Sequence, residues 1–505
     1  MTQRRAIVVG SGPNGLAAAI RLAEAGLPVT VLEAAPHHGG AVLTEELTLP
    51  GFRHDTFSSV YPAAAASPVF ERMPLERHGL RWSHPGACYA HPLPEGRAIA
   101  LYRDLDRTAA SLDAAGAAGD GDGWRTFAGP LLERWGSVRD VMLSPFLPVA
   151  PGLRMLGRLG PLRTVDFLRL VPGTAQGLGR RLFSSGDARA WLYSSAGHSD
   201  ARPSDPGSGI AVAYLNLLGH AVGWPSPEGG AGRLADALVS YLRELGGDVR
   251  CGARVTRMHA SSGRVTGVEI AGGERVAAEI VVAAVMPHAL ATLAGDALTP
   301  TYRSMLRRYR YGPATLKVDW ALDGPIPWLA PELREAGTVH VGGSEQELAA
   351  TIDESHHRLP ERPFLLLGQQ TLADPTRAPA GKHTAWAYTH GPRRGVDWRA
   401  EQDRHVERVE AHVESYAPGF RERILARHVL GPADLQRRNA NLVEGDVGGG
   451  TYRLRQVILR PMPKLSPYTT PVRGLYLGSA AAFPGGAVHG VPGDAAARAA
   501  VDANP

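Results

Sequence analysis

The stretch that most limits what this chain can become runs from residue 6 to residue 34. "AIVVG" is a short apolar run ending in Gly10, and "GSGPNG" occupies residues 10 to 15. "LAAAIRLAEAG" then carries apolar positions at helical spacing until Gly26 stops it. "LPVTVLEA" follows as a second strand with Glu33 at its end, eighteen residues after Gly15. Strand, glycine-rich turn, helix, strand and acid, in that order, predict a dinucleotide-binding unit. Gly10 allows the tight turn and Gly12 lets the backbone approach a pyrophosphate, while Gly15 and Ala19 let the helix lie close on the sheet. Pro13 and Asn14 open a helix whose unpaired N–H groups and positive end suit phosphate. Glu33, with Ala34 beside it, stands where a ribose would be held.

A chain of 505 residues exceeds one ordinary core, so two or three domains are expected. The apolar fraction of 44% and charged fraction of 20% belong to a globular protein. With a net charge of only +5, and no Lys/Arg cluster interleaved with aromatics, a nucleic-acid partner is excluded. Cys88 and Cys251 cannot build a disulfide framework, the first strand starts too early for a signal peptide, and no apolar run is long enough to span a membrane. Together these predict a cytoplasmic protein. His405 and His412, seven apart among carboxylates, fall on a segment read as a solvated helix, and His356–His357 lack partners at ligand spacing, so no metal is expected. Isolated cysteines and the lack of a GxSxG motif leave covalent catalysis without support.

The dinucleotide motif does not by itself separate a nicotinamide from a flavin cofactor. No second GxGxxG exists, so a separate NAD(P)H domain of the disulfide-reductase kind is not expected. "GGDVRCGARVTRMHASSGRVTGVEIAGGERVAAEIVVAAV" reads as short strands with turns at Ser261–Gly263 and Gly272–Gly273. Its last part, "EIVVAAV", is apolar throughout, as a buried parallel strand would be. Near the carboxy-terminus, "LYLGSAAAFPGGAVHGVPGDAAARAA" predicts a strand returning beside the first, an open glycine loop, and a helix from about Gly493.

Several segments carry a resemblance that runs nearly end to end. They are the amino-terminal fingerprint, "GGAVLTEELTLPGF", "WPSPEGGAGRLADALVSYL", "GGDVRCGARVTRM", "EIVVAAVMPHAL", "TLADPTRAPAGKHTAWAYTH" and "TTPVRGLYLGSAAAFPGGAVHGVPG". Through them the chain resembles the FAD-dependent oxidoreductases related to phytoene desaturase, within the wider amine-oxidase-like flavoprotein class. It is most similar to the uncharacterised phytoene-dehydrogenase-related subgroup. The resemblance implies an α/β fold: a discontinuous Rossmann-like FAD-binding domain (1–75, 225–300 and 440–505) and a substrate domain (76–224 and 301–439). The substrate domain would hold a mixed or antiparallel sheet and a helical region at about 105–220. It further implies that FAD is held by Gly39, Gly40 and Ala41 after the fingerprint, by the backbone of Val255 against adenine, and by Gly478, Ser479, Gly486, Ala487 and Val488. Many relatives place an acid where Gly478–Ser479 stand, so that contact to the flavin's ribityl hydroxyls must here come from backbone or a serine hydroxyl; amine oxidases also tend to have an arginine where Ala41 stands.

Two residues are catalytic candidates on the same basis. Lys317, in "YRYGPATLKVDWALDG", matches the strand lysine that amine oxidases place against the flavin; the plainer reading is a strand lysine reaching solvent. His489, in "GGAVHG", stands beside the expected isoalloxazine, and is otherwise an ordinary loop histidine. The implied reaction is removal of a hydride from a C–H bond of a mainly apolar, isoprenoid or polyene substrate, with electrons passing to oxygen, a quinone or another acceptor. The alternatives are an amine oxidase-like enzyme, a redox-neutral FAD-dependent isomerase, and a non-catalytic lipid carrier of the GDP-dissociation-inhibitor type. The stretch 154–183 mixes Leu, Phe and Val with six arginines. A peripheral membrane contact there stays open beside the favoured reading of a surface helix with arginines in water. Oligomeric state is not legible.

Overall fold

The computed structural model describes residues 4–503. Its centre is a five-stranded sheet in which every pairing is parallel. The spatial order is Leu475–Leu477, Ile280–Ala283, Ala6–Val9, Val29–Leu32 and Asp248–Arg250. Alternation sorts the side chains of these strands onto two buried faces. Ala6, Val8, Val29, Val31 and Val282 meet three helices: Pro13–Glu24, Gly232–Glu244 and Val491–Asp502. Ile7, Val9, Val281 and Leu477 meet a second layer containing an antiparallel sheet of Val255–Ser261, Arg264–Ile270 and Arg275–Ala277. Three separated stretches of chain thus build one nucleotide-type sheet. Contrary to expectation, the last strand does not lie beside the first; Ile280–Ala283 takes that slot, pairing with Ala6–Val9 on one side and Leu475–Leu477 on the other.

The second sheet has seven strands, ordered Ile424–Leu430, Ala314–Leu322, His383–Gly391, Leu365–Gly368, Ala336–Val341, Ala87–Leu93 and Arg97–Leu101. It is antiparallel except where Ala336–Val341 runs parallel to Ala87–Leu93. One face packs on the helix Trp398–Glu414 through Val406, Val409 and Val413. The other face packs on the helices between residues 105 and 222 through Trp124, Trp191 and Trp386. His405 and His412 are buried rather than solvated, because the helix sinks a stripe wider than its valines. Among the described residues, no helix is long and apolar enough to cross a membrane.

Candidate functional site

The carboxyl ends of the parallel strands form a crest, where ligands bind in folds of this kind. Gly10 follows the first strand at φ 101°, and its N–H donates to the Leu32 carbonyl at 2.9 Å. A Cβ on Gly15 would stand 2.0 Å from the Gly10 carbonyl oxygen, so the helix can seat here only on glycine. Gly39 and Gly40 also have positive φ, and a Cβ on Gly40 would come 2.8 Å from the Gly12 Cα. Each of these glycines is demanded by the protein's own packing or backbone.

Gly12 is different. Its backbone is extended (φ −66°, ψ 171°), a conformation open to any residue. A Cβ there would meet only the Gly40 Cα, at 4.0 Å. Nothing inside the protein asks for glycine, yet its side-chain direction opens onto the crest beside the first helix's amino end. That is the room a pyrophosphate needs, and the residues present fit such a group.

Glu33 closes this corner. Its carboxylate accepts from the Ser11 N–H at 2.8 Å, the Ser11 hydroxyl at 2.7 Å and the Ala35 N–H at 2.9 Å. Ser11 in turn accepts at its hydroxyl from Gly39 N–H at 3.2 Å, tying the fingerprint to the second glycine pair. Ala34 is exposed on the rim. The Ala253 N–H donates to the Glu33 carbonyl at 2.8 Å, bringing Val255, two residues on, to the same rim. Ala41 accepts from the Ser58 hydroxyl at 2.8 Å.

The carboxy-terminal loop arrives opposite. A Cβ on Gly493, in the first turn of the last helix, would lie 1.8 Å from the Asn14 carbonyl oxygen. The amino ends of the first and last helices are therefore in direct backbone contact, and both aim positive ends at the crest. Gly478 donates from its N–H to the Ala283 carbonyl at 3.0 Å, and the Ser479 hydroxyl accepts from Ala481 N–H at 3.3 Å. Ala487 and Val488 hold φ values of 87° and 57°, costly for residues with a Cβ and most of all for a β-branched one. Ala487 is exposed and Gly486 and Val488 half-buried, leaving the strained loop open on one side.

His489 does not point out of this loop. Its ring is buried, and Nδ1 accepts from the Val491 N–H at 3.2 Å, capping the last helix. Burial holds it down to about 4, against the pull of the Gly486 carbonyl, so it is neutral near neutral pH. The Ser67 hydroxyl donates to its carbonyl at 2.6 Å.

Lys317 is buried, not snorkelling. It shares the strand face with Asp319, two residues on, and the two form an ion pair with both side chains nearly sealed from solvent. Burial pushes the Asp319 carboxyl up to about 6 against the pull of Lys317, and Asp319 Oδ2 has no partner. The ammonium lies 5.9 Å from the Trp386 ring centroid. Around the pair stand His54, at 3.7 Å from Asp319 and held down to about 3 by burial, and a buried Asp55–Arg377 pair at 2.8 Å.

Three features escaped the sequence reading. The Asp446 carboxylate is a buried hub, accepting from the N–H groups of Gly312, Gly448 and Gly450 at 2.9, 2.8 and 2.7 Å. It sets a loop whose Gly448 carbonyl and Tyr452 hydroxyl underlie Gly486. Arg460 is buried with no carboxylate within ion-pair distance among the described residues. It lies against Gly485 and donates weakly to the Ala480 and Thr451 carbonyls at 3.4 Å each. Beyond Tyr452 comes an aromatic cluster: Trp386 stacks on Tyr388 at 5.9 Å, and burial raises Tyr214 and Tyr388 well above the usual phenol range, with Tyr452 adding to both. The signal for the Asp446 hub was in plain view as "DVGGG"; Arg460 left none.

The chain matches the family model described as flavin containing amine oxidoreductase over residues 14–502. It is 28% identical to pyridine nucleotide-disulfide oxidoreductase domain-containing protein 2 of Rattus norvegicus, over 98% of this chain and 92% of that one. It is also 28% identical to the all-trans-zeta-carotene desaturase of Myxococcus xanthus, over 96% and 89%. In fold it is similar to an oxidoreductase from Methanosarcina mazei, with a TM-score of 0.63, 18% identity, and coverage of 99% and 100%.

Proposed function

The chain belongs to the flavin-containing amine oxidoreductase family, and from that premise we propose that it is a dehydrogenase of the desaturase type acting on a mainly apolar substrate. It is an FAD-dependent oxidoreductase; when bound, FAD supplies the hydride acceptor. The observation that carries the site is Gly12, a glycine that only a ligand requires, at the meeting point of two helix amino ends. We assign 1–75, 225–300 and 440–505 to the cofactor domain and 76–224 and 301–439 to the substrate domain.

In this reading Gly10, Gly12, Pro13, Asn14 and Gly15 hold the pyrophosphate, and Glu33 and Ala34 the ribose. Gly39, Gly40 and Ala41 line the path toward the ring, with Val255 at the adenine. Gly478, Ser479, Gly486, Ala487 and Val488 carry the isoalloxazine. His489 positions that loop as a neutral cap. The aromatic cluster of Tyr452, Tyr214, Tyr388 and Trp386 faces the apolar substrate, of the kind that the zeta-carotene desaturase's name gives for that relative. Desaturation removes a hydride and a proton, and the proton needs an acceptor on the protein. Asp319, raised by burial and with Oδ2 unpartnered, is suited to take it, with Lys317 holding the carboxylate in place. Because the charge of Lys317 is engaged by Asp319, an amine oxidase-like role for it has less support. Electrons then leave to oxygen, a quinone or another acceptor.

The test is anaerobic flavin bleaching with polyene, fatty-acyl and amine candidates in parallel. Bleaching by a polyene or another apolar chain supports the desaturase reading, and bleaching by amines alone overturns it. Unchanged oxygen reoxidation and unchanged bleaching in Lys317→Met would remove Lys317 from the chemistry.

A further inference from the structure

The helices Val149–Leu159 and Pro161–Arg169 are apolar on two sides. Their inner stripe, Met155, Leu159 and Phe167, is buried in the same core cluster as Trp386. Their outer stripe is bare. Of the twelve exposed large hydrophobic side chains among the described residues, seven fall between residues 147 and 168. They include Val149 (63% exposed), Leu153 (64%) and Leu162 (81%). A helix that faces water on one side carries polar residues there, so this outer face is built to be covered.

Charge selects what covers it. The two helices carry Arg154, Arg158, Arg163 and Arg169 against the single acid Asp166. Among the described residues, neither Arg158 nor Arg163 makes an ion pair, and all four arginines are exposed beside the leucines. A second copy of the chain docking face to face would set arginines against arginines. An anionic bilayer answers both features at once: leucines enter the headgroup–acyl boundary, and long arginine stems let guanidinium groups rest on lipid phosphates.

We propose that this helical pair is a membrane-docking surface for anionic lipid, its inner stripe packed on the core that also holds Trp386. The docking itself stands independently of which substrate is oxidised. The assay is flotation of the flavin-loaded protein with vesicles of phosphatidylcholine alone, or mixed with phosphatidylglycerol, at ~0.1 M salt. The protein should partition onto the mixed vesicles about tenfold more strongly than onto neutral ones, with the difference shrinking as salt rises. Leu153→Asp/Leu162→Asp should lower partition at least about tenfold, leaving the visible spectrum and melting temperature unchanged. Arg158→Gln/Arg163→Gln should erase the preference for anionic vesicles. The proposal is overturned by absence of flotation, by undiminished flotation of the aspartate variant, or by a persistent anionic preference without the two arginines. A soluble dimer that the aspartate variant dissolves would also overturn it, assigning the face to a second copy.

Discussion

Gly493→Ala places one methyl group where the structure has no room. The Cβ would stand 1.8 Å from the Asn14 carbonyl oxygen and 2.6 Å from its carbon, both backbone atoms in the first turn of the opposing helix. Neither can rotate away, so the helices must part until that contact reaches about 3.5 Å. Overpacking of this kind costs about 1–3 kcal/mol, before any loss of ligand. The two helix amino ends are the floor of the crest, so parting them also spoils the cofactor's seat. The matched control is Gly136→Ala, at a helical glycine where a Cβ meets nothing within 4 Å. That change should be neutral or stabilise by up to about 1 kcal/mol. Urea unfolding without FAD reads the packing cost, and the flavin retained after gel filtration reads the seat. If Gly493→Ala unfolds like the control and keeps its flavin, the two helices do not meet as described.

Two further outcomes follow from the buried charges. Lys317→Met leaves Asp319 buried without its cation and should cost about 3–5 kcal/mol in urea unfolding, most of it recovered in Lys317→Met/Asp319→Leu; an equal loss in both variants would contradict the pairing. Burial holds His54 and His198 down to about 3, and His220, His390, His405, His412 and His489 to about 4. Unfolded, each takes its proton near ~6.5, so the native state is fully favoured above that pH. It loses stability as pH falls toward ~4, by up to about 1.4 kcal/mol per site per pH unit. Asp319, raised to about 6, and Asp446, also raised by burial, work in the opposite sense, but they are two groups against seven. The melting temperature should therefore drop steadily from pH ~7 to ~5, and a flat or rising profile would contradict the burial of these imidazoles.

What was legible in the sequence is what short-range chemistry fixes. Gly10 and Gly15 announce their turn and helix because the demand is local: a positive φ at Gly10, and the Gly10 carbonyl oxygen standing where a Cβ on Gly15 would go. The strand and helix after "LYLGS" were also readable, but the neighbour of that strand was not, since several short apolar strands fit the slot beside Ala6–Val9 equally well. Lys317 and Asp319 do leave a signal, the two-residue alternation that puts them on one strand face. Arg377 reaching Asp55, more than 300 residues away in the chain, leaves none. Helical spacing shows that residues 149–169 contain apolar positions, but it does not tell an inner stripe from an outer one. That distinction came only from which of them the rest of the fold covers. The buried His405 and His412 fail for the same reason: the depth to which a helix sinks is a tertiary property.

Gly12 is kept for a cofactor rather than for the fold, and Gly12→Ala tests this directly. The methyl group would find open space, 4.0 Å from its nearest neighbour, so folding without FAD should change by no more than about 1 kcal/mol, the difference between glycine and alanine as a helix cap. FAD content, measured from the visible spectrum of the purified protein, should be one per chain in the wild type and at least about tenfold lower in the variant. A Gly12→Ala protein that folds normally and carries FAD like the wild type would place the cofactor elsewhere and contradict the site.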